Sequence, residues 1–176
     1  TDKGEYEEAE PLYLKSLEGR EKILGKEHPS TIIALNNLGL LFNKKGDYNN
    51  AEKLYNRALE ASERQLGEFH PSTLTLINNL GDLFRKKDDL VSAESFFERA
   101  VKGRENVLGV DHPKTMVSIS NLAYLLKKKH NYKEALKLYK RIVISREKSL
   151  GKKHNKTLKS KQSLAVTFRD FECFED

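Results

Sequence analysis

The chain has one cysteine, Cys173, and one methionine, Met116, among 176 residues. A single thiol excludes an internal disulfide framework and suits a reducing compartment, so a cytoplasmic protein is expected. No apolar run approaches the length of a membrane span and no amino-terminal secretion pattern is visible, so no membrane partner is expected. Four prolines and ten glycines are too few for a disordered chain or a linker. The first residue is Thr1 instead of methionine, from which we expect a processed chain or a piece of a longer one. The formal charge of +6 is a mild basic bias. It favours acidic partners without being a nucleic-acid signature.

What the chain has in abundance is itself. The stretch LGKEHPSTIIALNNLGLLFNKKGDY, starting at Leu24, returns as LGEFHPSTLTLINNLGDLFRKKDDL from Leu66 and as LGVDHPKTMVSISNLAYLLKKKHNY from Leu108. A decayed copy, LGKKHNKTLKSKQSLAVTF, starts at Leu150. Every landmark keeps register: Thr31, Thr73, Thr115 and Thr157; Leu38, Leu80, Leu122 and Leu164; Ala51, Ala93 and Ala135. A fixed period decides the fold before any local reading does. It divides the chain into a half repeat (1–24), three full repeats (25–66, 67–108, 109–150), a second half repeat (151–170) and a tail (171–176). Residues 1–170 are expected to form a single array.

Each period holds two helical stripes. Thr31, Ala34, Leu35, Leu38, Leu41 and Phe42 follow helical spacing just after Pro29, a residue suited to a first helical turn. Gly46 and Asp47 break the chain. Ala51, Leu54, Tyr55, Ala58, Leu59 and Ser62 form the second stripe, which stops near Gly67. Small residues mark close approaches: Gly39, Gly81, Ala123 and Ala165 in the first helix, Ala51, Ala93 and Ala135 in the second. Neither helix can bury its stripe alone, so the hairpins must stack. The expected fold is all-α: a right-handed superhelical solenoid of antiparallel helix pairs with eight helices, the first near Tyr6 to Leu24 and the last from Thr157 to about Phe168.

This pattern of small, aromatic and alanine positions resembles the tetratricopeptide repeat. The 42-residue length with LG, HP, T, NNL, GDY, AE, LY and RAL in order is similar to the subclass found in kinesin light chains and nephrocystin-like proteins. The resemblance spans residues 4–168. Asp88 and His130 depart from it, standing where Gly46 predicts glycine, and beyond Phe168 the pattern fails.

Several motifs invite chemistry and lose it to the repeat. His28, His70, His112 and His154 belong to different repeats, about 10 Å or more apart by helix-packing distances, so one ion cannot gather them. Their HP or HN context reads as the start of the first helix. GREKILGK, from Gly19, has five residues between its glycines where a phosphate loop needs four, and its copy GRENVLGV lacks the lysine. Asn155-Lys156-Thr157 matches a glycosylation sequon through the repeat. No nucleophile recurs with a base. We expect no catalysis, no metal and no cofactor.

The opposite side of the first helix is more informative. At about 100° per residue, Ile33, Asn36, Asn37, Leu40, Asn43 and Lys44 centre opposite the apolar stripe. Their copies are Thr75, Asn78, Asn79, Asp82, Arg85 and Lys86, then Val117, Ser120, Asn121, Tyr124, Lys127 and Lys128. The fourth set is Lys159, Gln162, Ser163, Val166, Arg169 and Asp170. Asparagine is a mediocre helix former, so its recurrence on an exposed face needs a reason. An amide can both donate to and accept from an extended backbone, and it can equally bond to the next repeat. The lysines and arginines gather at the carboxyl ends of the helices, where they also complement the helix dipole.

The resemblance implies that this face is a concave groove that binds peptides. It also excludes the carboxylate-clamp subclass, because Asn36, Leu40, Val117 and Asn121 are the wrong residues for it and only Asn79 fits. The kinesin light chain type implies short acidic ligands that contain an aromatic residue. The expected function is a non-catalytic scaffold for such peptides. A single-stranded nucleic-acid binder or a ligand-free spacer are the alternatives. Against the first, the strip has one aromatic, Tyr124, and an intruding acid, Asp82. The half repeats at the two ends also suggest weak head-to-tail self-association, and the tail FRDFECFED has the aromatic-acidic chemistry expected of the ligand.

Overall fold

The structure is a computed structural model that describes residues 2–175; side chains are described for residues 6–174, and Thr1 and Asp176 lie outside the described residues. Eight helices are present among them: α1 (Asp2–Leu24), α2 (Pro29–Lys45), α3 (Tyr48–Leu66), α4 (Pro71–Lys86), α5 (Leu90–Leu108), α6 (Pro113–Lys128), α7 (Tyr132–Leu150) and α8 (Asn155–Glu175). They fall into two compact units, one ending at Asp89 and the other starting at Leu90. In unit 1, α2 packs on α1 and α3, and α4 packs on α3 and touches α2. In unit 2, α6 packs on α5 and α7, and α8 packs on α7.

The LG…HP…T signature is a joint. Gly25, Gly67, Gly109 and Gly151 stop the second-type helices at φ of 90°, 88°, 95° and 88°, a region that glycine enters without a side-chain penalty. Three residues on, a histidine caps the next helix. Nδ1 of His28, His70, His112 and His154 accepts the backbone N–H two residues later, at 3.1 Å in all four copies. The proline that follows His28, His70 and His112 has no N–H to leave unsatisfied. The threonine then closes the joint. Oγ1 of Thr31, Thr73 and Thr115 donates to the carbonyl of Gly25, Gly67 and Gly109 at 2.8–2.9 Å. In the decayed fourth copy Thr157 bonds the Arg146 carbonyl instead, at 3.3 Å.

The other turn needs one left-handed residue. Gly46 supplies it at φ 84°, and Asp88 and His130 adopt the same conformation at 64° and 59°. The two departures from glycine therefore keep the turn and accept the backbone cost.

Packing follows the small-large pattern. Gly39 is buried where α2 meets Tyr55 of α3; an added Cβ would lie 2.8 Å from Tyr55 Cε1 and 2.9 Å from Cδ1. The Tyr55 hydroxyl is buried without a hydrogen bond of acceptable geometry, and burial pushes its pKa up to about 12, with Asn43 the opposing polar neighbour. Ala165 is exposed, so the close approach expected there does not occur.

A ladder of ion pairs joins hairpin neighbours: Lys45 with Glu10, Lys87 with Glu52 and Lys129 with Glu94. The glutamate is the E of the repeated AE. At such exposure solvent screens each pair, so none adds much stability. At the next step of the period the two positions read Phe171 and Leu136.

The last helix corrects an expectation. It does not end near Phe168 but continues to Glu175. Asp170 pairs with Lys127 at 2.7 Å. Phe171 and Phe174 meet Tyr132 with ring centroids 6.2 and 5.3 Å apart, and Phe174 stacks on His130 at 5.6 Å. The aromatic-acidic tail is thus helix up to Glu175, with Phe171 and Phe174 packed on the α6–α7 turn. The first helix likewise starts at Asp2, before Tyr6.

Candidate functional site

In unit 1 the first-type helices α2 and α4 present Asn36, Asn37, Leu40, Lys44, Asn78, Asn79, Asp82, Arg85 and Lys86, all at least partly accessible. Asn43 departs from the expected strip: it is 3 % exposed. It sits one position off the accessible line and turns toward α4, where Lys86 donates to its Oδ1 at 3.0 Å.

The polar groups of this unit bond to one another. Asn79 Nδ2 donates to Asn36 Oδ1 at 2.8 Å, and Asn36 reaches Asn37 at 3.5 Å. Asp82 gathers Arg85 at 2.5 Å and Lys86 at 3.4 Å, and accepts from Asn43 at 3.5 Å. Burial opposes the charge of Asp82, but Arg85 and Lys86 outweigh it and hold its pKa below the ordinary range. The bond between α2 and α4 accounts for part of the asparagine recurrence. Lys44 stands apart, exposed and with no ion pair among the described residues.

In unit 2 the same face forms a cleft of about 370 Å³ between α6 and α8, floored by α7. Asn121, Tyr124, Ser120, Ser163 and Lys159 line its walls, with Tyr139, Ile142 and Arg146 beneath. Tyr124 is 52 % exposed. Burial pushes the Tyr139 phenol up to about 12, with Tyr124 adding a smaller contribution. Lys128 and Gln162 are exposed on the same helices, and Lys127 is committed to Asp170. Lys127 and Asp170 occupy the columns that Asn43 and Lys86 fill in unit 1, with the cation moved to the Asn43 column and a carboxylate in place of the lysine.

Arg146 was not apparent among the candidates. Its Nη1 donates to Ser160 Oγ at 2.6 Å and to the Lys156 carbonyl at 3.3 Å. Arg104, one period earlier, bonds Ser118 at 2.7 Å and the Lys114 carbonyl at 3.0 Å. Neither has a carboxylate partner among the described residues, and burial lowers the pKa of both. In unit 1 the column holds Arg20, which donates to Ser16 Oγ of its own helix at 2.8 Å, and Ser62, whose hydroxyl meets Thr73 Oγ1 at 2.7 Å. Because Thr73 spends its proton on Gly67, Ser62 is the donor. The column reads Arg20, Ser62, Arg104 and Arg146 and the facing column Ala34, Leu76, Ser118 and Ser160, so arginine meets serine only at the two later joints.

An all-α repeat of helix hairpins, with one polar accessible face on its first-type helices, is the architecture of a protein-interaction repeat. The sequence profile of the tetratricopeptide repeat matches residues 1–64, 34–106 and 86–143, and the chain belongs to that family. Comparison with curated protein sequences gives no match. Among solved structures, the nearly identical TPR-like repeats of a candidate kinesin light chain from Podosopora anserina superpose with a TM-score of 0.83, and a singly substituted form of the same repeats with 0.84. Both are 24% identical; each alignment covers 96% of this chain, and 80% and 79% of theirs respectively. BtubC (BKLC) from P. vanneervenii superposes at 0.85 with 21% identity, covering 97% of this chain and 69% of its own. The structural neighbours are kinesin light chain-like repeat proteins, and the fold is the helical-repeat fold they share. It is in general a scaffold for protein–protein contacts. No helix among the described residues is long and apolar enough to cross a membrane.

Proposed function

We propose that the chain is a non-catalytic, cytoplasmic adaptor whose first-type helices bind an extended acidic peptide containing an aromatic residue, with the main grip in unit 2. The observation that supports this reading is the unit 2 cleft. Its walls combine amide and hydroxyl groups, the exposed ring of Tyr124, and two cations, Arg146 and Lys159, that no carboxylate of the described chain neutralises. Asn121 and Gln162 would hold the ligand backbone, Tyr124 would stack on its aromatic side chain, and Lys128, Lys159 and Arg146 would face its carboxylates. In unit 1 Asn36, Asn37, Leu40, Lys44, Asn78 and Asn79 offer the matching columns of the repeat to such a peptide, while Asp82 already engages Arg85 and Lys86.

The test is a fluorescence-anisotropy titration with a labelled peptide in which one tryptophan is flanked by aspartates and glutamates. Binding that weakens with salt, and that disappears when the acids become asparagine and glutamine, is the expected result. Equal binding of the acidic and amidated peptides would overturn the reading.

A further inference from the structure

A second cavity lies in unit 2, of about 470 Å³, between the first turns of α6 and α8 and the last turns of α7. Its volume falls within the range of about 300–1,000 Å³ typical of small-molecule sites. Pro113, Met116, Val117 and Leu150 give it an apolar lining. Lys114, Arg146, Lys156 and Lys159 bring positive charge to it, against a single acid, Asp111. None of the four cations is ion-paired among the described residues, and only one guanidinium nitrogen of Arg146 is occupied by the protein. Asn121 and Gln162, the amides suited to an extended backbone, are not part of its lining.

An apolar chamber with several unneutralised cations and one acid selects a compact apolar body with an anionic group. A neutral ligand would leave the cations uncompensated, and a cationic one would be repelled. We propose that this cavity is a binding site for a small aromatic anion, a flat carboxylate or sulfonate, with its rings against Met116, Val117 and Leu150 and its charge toward Arg146, Lys156 and Lys159. Arg146 and Lys159 also line the neighbouring cleft, so an occupant would compete with an acidic peptide for them. The competition, but not the binding, rests on the peptide-groove reading.

Met116 is the only methionine of the sequence, is 2 % exposed, and lines the cavity, so its methyl group is a built-in reporter. The protein labelled with methyl-¹³C methionine is titrated with 8-anilinonaphthalene-1-sulfonate and, separately, with N-phenyl-1-naphthylamine, which has the same rings without the sulfonate. The expected result is a saturable shift of the Met116 resonance with the sulfonate and binding of the neutral amine weaker by about tenfold or more. Lys156→Glu with Lys159→Glu, both exposed side chains, is expected to weaken the sulfonate by a similar factor and leave the amine unchanged. An unmoved Met116 resonance, equal binding of the two probes, or indifference to the charge reversal would overturn the proposal. Tyr124→Ala with Lys128→Glu leaves this cavity intact, so failure of the peptide reading and failure of this one are separable.

Discussion

Units 1 and 2 are written in the same repeat, yet they give different partners to matching polar side chains. In unit 1 the joint at Ser62 and Thr73 is neutral, Arg20 of the same column bonds Ser16 of its own helix, and the accessible face bonds within itself through Asn79 with Asn36 and Asp82 with Arg85 and Lys86. In unit 2 the corresponding joints hold Arg104 and Arg146, which bond a serine hydroxyl and a carbonyl but no carboxylate. A cleft and a cavity open beside Arg146. Internal pairing satisfies a side chain and removes it from the set available to a ligand. Repeats that share a framework can therefore differ in function through which of their columns are internally bonded.

The joints offer the sharpest way to break this comparison. Arg104→Ala removes a side chain that is 5 % exposed together with both of its hydrogen bonds, and is expected to destabilise by about 2–4 kcal/mol in urea unfolding. Arg104→Met keeps most of the volume and discards a buried charge, so it should recover much of that loss. Ser62→Ala, the matching change in unit 1, should cost about 1 kcal/mol. Equal losses at the two alanine sites would show that the joints are equivalent after all.

Next in size is Gly39→Ala, whose Cβ would collide with Tyr55; about 2 kcal/mol of destabilisation is expected, read as a lowered Tm. Gly46→Ala meets no neighbouring atom, so its cost of about 1 kcal/mol isolates the left-handed backbone. A larger loss at Gly46 than at Gly39 would reverse the assignment of packing and backbone roles.

The smallest effect is electrostatic. The folded pKa of Asp82 lies below its ordinary value of 3.8, so its ion cluster stabilises unit 1 fully above that value. The stabilisation is lost as pH falls through the lower folded value. The contribution should stay under about 1 kcal/mol because the partners are partly exposed. Asp82→Asn should remove it at neutral pH and flatten the acid limb of the stability profile, checked by urea unfolding from about pH 2 to about pH 6.

The helices, their starts at Pro29, Pro71 and Pro113, and the capping place of the histidines were legible because the period repeats every constraint three or four times. The accessible strip was legible from helical geometry except at Asn43, where a lysine and an aspartate on α4 draw the amide inward. The extension of α8 was not. Its turn position is lost as the ladder's lysine and glutamate become Phe171 and Leu136, a change that reads as decay in one dimension. The cavity lining was hidden for a different reason. Met116 and Leu150 lie on separate helices, and their apolar character alone marks them as core.

The most direct measurement compares matched positions in the two units. Tyr124→Ala with Lys128→Glu in unit 2, and Leu40→Ala with Lys44→Glu in unit 1, alter the same two columns of the repeat. Anisotropy titrations with the acidic, tryptophan-containing peptide are predicted to show about tenfold or greater weakening for the unit 2 pair and less than about twofold for the unit 1 pair. Equal weakening by both pairs, or a larger loss from the unit 1 pair, would contradict the account.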